Sequence, residues 1–301
     1  MNTHLPEKNI FITGDLRSKD IGYIISRNSE IDPIDTPHSN ILVWHNNEWI
    51  EGGNISWNCV ATTILSDPFP QLLVVGPFGE VLVMGSGDVH EERINDETHV
   101  PNSRAMIRDV KQVKDHVYAV GMQRQVYKRI DHTKWEWIGV SDISHNNDSV
   151  RGFESIDGYS ENDLYVVGWE GEIWHYNGQD WQQKSSPTNL ILNSVLCVNG
   201  GAVYACGQCG VLLRNINGHW EVIDHQETIS DFWDMAWYKN KLYISTMESL
   251  YCYNGKTFED IDFGIDHPNT CYHLSVSDGL MWSIGSNDIL AFNGNEWRRI
   301  N

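Results

Sequence analysis

A recurring phrase, its period of about forty residues and the absence of helical periodicity predict an all-β fold, a seven-bladed β-propeller with four antiparallel strands per blade. The phrase is fullest at Leu164-Tyr-Val-Val-Gly-Trp-Glu-Gly-Glu-Ile-Trp-His-Tyr-Asn-Gly-Gln-Asp-Trp181. It returns from Val203 to Trp220, from Leu242 to Phe258 and from Met281 to Trp297. The closing aromatics Trp181, Trp220, Phe258 and Trp297 are 39, 38 and 39 residues apart. A fixed period of this length means one supersecondary unit copied many times. Apolar and polar residues alternate in short runs rich in Val, Ile, Tyr and Trp, and no 3.6-residue stripe is sustained, so little or no helix is expected.

Counting backwards, Trp135 stands 46 residues before Trp181, and Trp49 another 86 before that. One unit with a degenerate ending fits in the gap; it holds Leu72-Leu-Val-Val-Gly-Pro-Phe-Gly-Glu-Val-Leu-Val-Met84. Seven blades follow, near 8–53, 54–96, 104–140, 149–185, 190–224, 228–262 and 268–301, expected as one domain. Blade one can supply four strands in order, at Ile10–Thr13, Gly22–Ser26, Ile41–His45 and Glu48–Gly52, with a long loop at Asn28–Asn40. Blade four reads as Gly152–Ile156, Leu164–Gly168, Glu172–Asn177 and Trp181–Lys184. Blade seven also has four strands of its own, so closure is expected without strand exchange. The Asn-Gly pairs at 177, 217, 254 and 293 predict hairpin turns, because both residues tolerate positive φ. The regular Trp predicts a wedge filler between blades, so most of the thirteen Trp belong to the core.

The formal charge is −20. Nucleic-acid binding is disfavoured, since phosphate contacts need clustered Lys and Arg. An acidic ring draws in a basic partner; solubility alone is the other reading of the charge. No run of 18 apolar residues marks a membrane span. The start has no basic segment followed by an apolar one, so the expected compartment is the cytoplasm. Six cysteines are scattered, mostly at strand positions that suit small core residues. Cys206-Gly-Gln-Cys209 has the spacing of half a zinc site or of a redox pair, but no second pair accompanies it. No metal and no cofactor are expected.

Chemistry is hard to find. There is no G-x-S-x-G and no H-E-x-x-H, and the thirteen His are dispersed. First strands begin near Trp57-Asn58, Arg108-Asp109, Arg151, Asn193, Asp231 with Asp234, and Tyr272-His273. That set is mixed, with no repeated ligand or arginine cluster. An enzyme stays open but is the less expected reading, because sites on this fold assemble from residues far apart in sequence.

The turn between second and third strands says more. It fills one four-residue slot in six blades, from Gly76, Gly121, Gly168, Gly207, Thr246 and Gly285. Such turns are normally polar, yet Phe78, Met122, Trp169 and Met247 are large and apolar. Arg108, Arg151 and Trp233 are expected beside them, where first strands begin. Aromatic, Met and Arg side chains are enriched at protein interfaces. The plainer alternative is that these side chains fold over their own blades as plugs.

The phrase V-x-x-V-G-x-x-G-x-I-x-x-Y-N-G-x-x-W resembles repeats of bacterial β-propellers of the broad WD-repeat, kelch and sialidase-like kind, best in blades three to seven. The Gly-His and Trp-Asp dipeptides of WD repeats, the paired Gly of kelch repeats and the S-x-D-x-G-x-T-W box of sialidases are missing. Some stand-alone acidic propellers resemble immunity proteins that neutralise a bacterial toxin. The resemblance implies a non-catalytic protein whose partner is another protein, a basic toxin domain being the most specific form. The competing readings are a carbohydrate-active enzyme or lectin stacking sugar on Trp57, Trp233 or Tyr272, and a structural subunit.

Overall fold

The computed structural model describes residues 8–94, 106–140 and 151–301. It holds seven four-stranded antiparallel sheets, each ordered first to fourth strand along the chain, the blades of a β-propeller. Blade one is Asn9–Ser18, Ile21–Asn28, Ser39–His45 and Glu48–Ile55. Blade two is Ala61–Leu65, Gln71–Val75, Glu80–Gly85 and Asp88–Arg93. Blade three is Ile107–Val113, His116–Gly121, Gln125–Asp131 and Lys134–Trp137. Blade four is Phe153–Ser160, Asp163–Gly168, Ile173–Tyr176 and Trp181–Lys184. Blade five is Leu192–Val198, Ala202–Gly207, Leu212–Ile216 and His219–Val222. Blade six is Asp234–Tyr238, Lys241–Ser245, Leu250–Tyr253 and Phe258–Asp260. Blade seven is His273–Ser277, Leu280–Ile284, Ile289–Phe292 and Trp297–Arg299. Among the described residues, helix is confined to single 3-10 turns at Trp169–Gly171 and Gln208–Gly210.

The chain packs as two compact units, Met1–Ile64 with Trp233–Asn301, and Leu65–Phe232. In the first unit both terminal blades keep their own four strands, so no strand is exchanged. Their faces share one apolar cluster, in which Phe11, Ile24, Leu42, Trp44 and Trp49 of blade one meet Trp282, Ile284 and Ile289 of blade seven. Gly22 permits this approach: a Cβ there would lie 2.2 Å from the Trp282 ring. A second cluster joins blades six and seven through Tyr238, Tyr243, Leu250, Leu274 and Met281. In the second unit, equivalent clusters join blade three to four and four to five.

The closing aromatics are wedge fillers. Trp49, Trp135, Trp220 and Phe258 are buried, while Trp181 and Trp297 are half-buried against the clusters of their blades. Three of the indoles also reach the preceding sheet in order around the repeat. Trp181 Nε1 donates to Ile138 O at 2.6 Å, Trp49 Nε1 to Ile300 O at 2.5 Å and Trp135 Nε1 to Glu92 Oε2 at 3.3 Å.

The Asn-Gly turns divide into two kinds. Asn217-Gly218 is the expected two-residue turn, with φ of 51° and 87°. The pairs at 177, 254 and 293 lie instead in four-residue turns, with only the Gly at positive φ. There the Asn side chain does the work: Asn177 Oδ1 accepts from the amides of Gln179 and Asp180, and Asn254 and Asn293 repeat the pattern. An Asn carbonyl that mimics a backbone acceptor stabilises a turn without needing left-handed φ.

Candidate functional site

In the Leu65–Phe232 unit, five of the singled-out residues fall along one hydrogen-bonded rim. Pro77 O accepts from Ile107 N at 2.8 Å, Met106 O from Met122 N at 2.9 Å, and Arg151 O from Gln123 N at 2.7 Å. Phe78, Arg108, Met122, Arg151 and Trp169 therefore follow one another across blades two to four. Glu154 ties two of them together. It accepts from Arg108 Nε at 2.8 Å through one oxygen and from Trp169 Nε1 at 2.6 Å through the other. Arg151 pairs with Glu170 at 2.7 Å on the same turn as Trp169.

That turn has a backbone reason. Glu170 has φ 56° and Gly171 φ 71°, and a Cβ on Gly171 would meet Thr188 O at 2.2 Å. Only Gly fits there, and the tight turn lays the Trp169 indole against Glu154. Phe78 is 43% exposed, whereas Met122 and Trp169 are half-buried. Beneath the rim lies a buried ion pair. Arg124 binds Glu172 with two nitrogens, Nε at 2.7 Å and Nη2, and both side chains are almost wholly enclosed. Trp174 Nε1 donates to the same carboxylate at 3.2 Å.

In the other unit, Met247 is 45% exposed and its carbonyl accepts from Cys271 N at 2.8 Å. Trp233 packs on Tyr272 with ring centroids 5.3 Å apart, so these two aromatics face each other. Trp57 is half-buried in the segment after blade one.

The acids at first strands are structural staples. Asp109 accepts from Val110 N at 2.8 Å and, across to blade four, from Ile156 N at 3.1 Å. Asp157 does the same with Gly158 N at 2.8 Å and Cys197 N at 2.7 Å of blade five. Asp234 repeats it with Met235 N at 2.7 Å and Leu274 N at 2.9 Å. Each carboxylate satisfies two amides, one per blade, which a hydroxyl or amide side chain cannot do equally well. Burial raises the Asp157 pKa, partly offset by Lys111 and the two donating amides.

All six cysteines are free. Burial pushes the thiols of Cys59, Cys197, Cys252 and Cys271 up, Cys271 to about 11. Such thiols are poor nucleophiles. Cys206 is buried and Cys209 exposed, on either side of the turn at Gln208–Gly210. Among the described residues, no group of three His, Cys, Asp or Glu side chains is placed to hold a metal. No helix among them is long and apolar enough to cross a membrane.

Sequence reasoning missed the most exposed apolar side chains. Ile34 is 85% exposed, Ile229 87%, and Ile265 fully exposed. Each sits in a loop beside acids: Asp32-Pro-Ile34-Asp35, Glu227-Thr-Ile229-Ser-Asp231 and Asp262-Phe-Gly-Ile265-Asp266. For Ile34 and Ile265 the Pro, Gly and Asp neighbours are a visible signal, because they disfavour a strand for the isoleucine to pack from.

No protein-family model matches the chain. Among solved structures, YCF48 bound to a D1 peptide superposes with a TM-score of 0.70 at 12% identity, over 95% of this chain and 92% of that one. A virginiamycin B lyase from Staphylococcus aureus gives 0.64 at 12% identity, over 80% and 83%. Identities this low speak for the fold alone, and one fold hosts many functions. A curated relative is much nearer in sequence. The immune protein Tsi7 of Pseudomonas aeruginosa is 40% identical over 294 residues, spanning 96% of each chain. Identity at that level over nearly the whole length of both chains means that the chain belongs to the family of the immune protein Tsi7.

Proposed function

We propose that this chain is an immunity protein that binds a bacterial toxin and neutralises it without catalysis. The observation that carries the reading is full-length identity of 40% to an immune protein. The turns and strand starts support it, since Phe78, Met122, Trp169, Arg108 and Arg151 in one unit, and Met247 and Trp233 in the other, have the chemistry of interface anchors, with Phe78 and Met247 the exposed apolar ones. A charge of −20 favours a basic partner and speeds its approach. We place the action in the cytoplasm; six free cysteines, four of them buried, fit a reducing compartment.

Immobilised wild-type chain is expected to capture its cognate toxin, and the Phe78→Asp plus Trp169→Asp variant to lose capture at least tenfold while folding normally. Undiminished capture by a folded variant would show that these two residues lie outside the interface.

A further inference from the structure

In the unit of Met1–Ile64 and Trp233–Asn301, apolar exposure and acidity coincide at one end of the strands. Its exposed large hydrophobic residues in connecting segments are Ile31, Ile34, Met247 and Ile265. All four lie where a second strand passes to a third, or a fourth to the next first. The described turns at the opposite ends of those strands contribute no exposed large hydrophobic residue. They carry Lys19, Lys239 and Lys256 against Asp20, Asp278 and Glu296, so their charges balance.

The isoleucine loops are built to hold the side chain outward. Asp32 Oδ1 accepts from Ile34 N at 2.8 Å, and Pro33 O accepts from Asn58 Nδ2 at 2.9 Å. Asp262 Oδ1 accepts from Gly264 N at 2.7 Å. Phe263 anchors that second loop in the core against Trp297, with centroids 4.8 Å apart, while Ile265 two residues on is fully exposed. Two cations at this end are engaged: Lys8 pairs with Glu30 at 2.6 Å, and Arg299 with Asp266 at 2.8 Å and with Asp288. Asp32, Asp35 and Asp262 remain exposed.

Resting on the immunity reading, we propose that Ile34 and Ile265, with Asp32, Asp35, Asp262 and Asp266, form a docking surface for a Lys- and Arg-rich face of the toxin. The ordered loops present apolar anchors with little left to immobilise on binding. The acids steer a basic partner onto that end, whereas the charge-balanced turns at the opposite end exert no such pull.

The test uses the full chain and the purified toxin, with rates measured from about 50 to about 500 mM NaCl. Ile34→Ser plus Ile265→Ser is expected to raise the dissociation rate at least tenfold. Changing the four acids to Asn, which keeps the capping oxygens, is expected to slow association about tenfold at low salt and flatten its salt dependence. Ile50→Ser, an exposed strand position of the same unit, serves as the control and should change neither rate. Matched unfolding midpoints establish that the variants fold. Wild-type rates in both variants would overturn this surface and leave the immunity reading standing. A wild-type chain that binds no toxin would overturn both.

Discussion

Trp49 donates its indole N–H to the carbonyl of Ile300 across the join of the first and last blades, at 2.5 Å. Trp181 makes the same bond to Ile138 between blades four and three, at 2.6 Å. The terminal join is thus held by the device that holds an internal one, with no strand exchanged.

Trp49→Phe keeps most of the ring and removes the donor. It should lower stability by about 1 kcal/mol, the net worth of one hydrogen bond. Trp49→Ala should cost about 3–5 kcal/mol, from lost burial and the cavity left. Urea unfolding midpoints check both, and Trp181→Phe should match Trp49→Phe.

Asp157 and Asp288 should give opposite pH dependences. Burial raises the folded pKa of Asp157, so its contribution is fully present below the unfolded carboxylate pKa and declines as pH rises through the folded value. For Asp288 burial also pushes upward, but hydrogen bonds from Arg299 and Thr270 outweigh it and the pKa is lowered. Its contribution is present above the unfolded pKa and lost as pH falls through the folded value. The stability gap between wild type and Asp157→Asn should widen on acidification from pH 7 to about pH 4. The gap for Asp288→Asn should narrow as pH falls below about 4. Denaturant titrations across that range measure both, and gaps of the same slope would refute the assignment.

The Arg124–Glu172 pair sets a third expectation. Either Arg124→Met or Glu172→Met alone leaves a buried charge without its ion-pair partner and should cost about 3–5 kcal/mol. The double variant Arg124→Met/Glu172→Met should cost much less than the sum. Additive losses in that cycle would mean the two groups act independently.

Gly171→Ala tests the turn under Trp169. A Cβ would collide with Thr188 O and strain a φ of 71°, so a loss of about 1–3 kcal/mol is expected, with toxin affinity falling as Trp169 leaves Glu154. Stability and affinity, measured together, check the coupling.

The repeat made the sheets legible because each blade spells its strands locally. Blade four reads from sequence as Gly152–Ile156, Leu164–Gly168, Glu172–Asn177 and Trp181–Lys184, and the last strand has those bounds in the structure. The Trp wedge was legible for the same reason: one large ring per period has one place to go. Partners in another blade were not. Asp109 sits 47 residues from Ile156, and Arg124 is 48 from Glu172, so no local pattern joins them. The turn at Asn177 was legible but its mechanism was not, because the side chain and not a positive φ holds it. The exposure of Ile265 was not legible because it depends on how the loop base is anchored, here by Phe263 in the core.

Bacterial growth reads out neutralisation itself. The toxin is expressed from an inducible plasmid in a sensitive bacterium, with and without this chain. Toxin alone should arrest growth, the wild-type chain should restore it fully, and protection should be lost when Phe78→Asp and Trp169→Asp are combined with Ile34→Ser and Ile265→Ser. Continued arrest in cells that hold folded wild-type chain in excess of the toxin would contradict neutralisation.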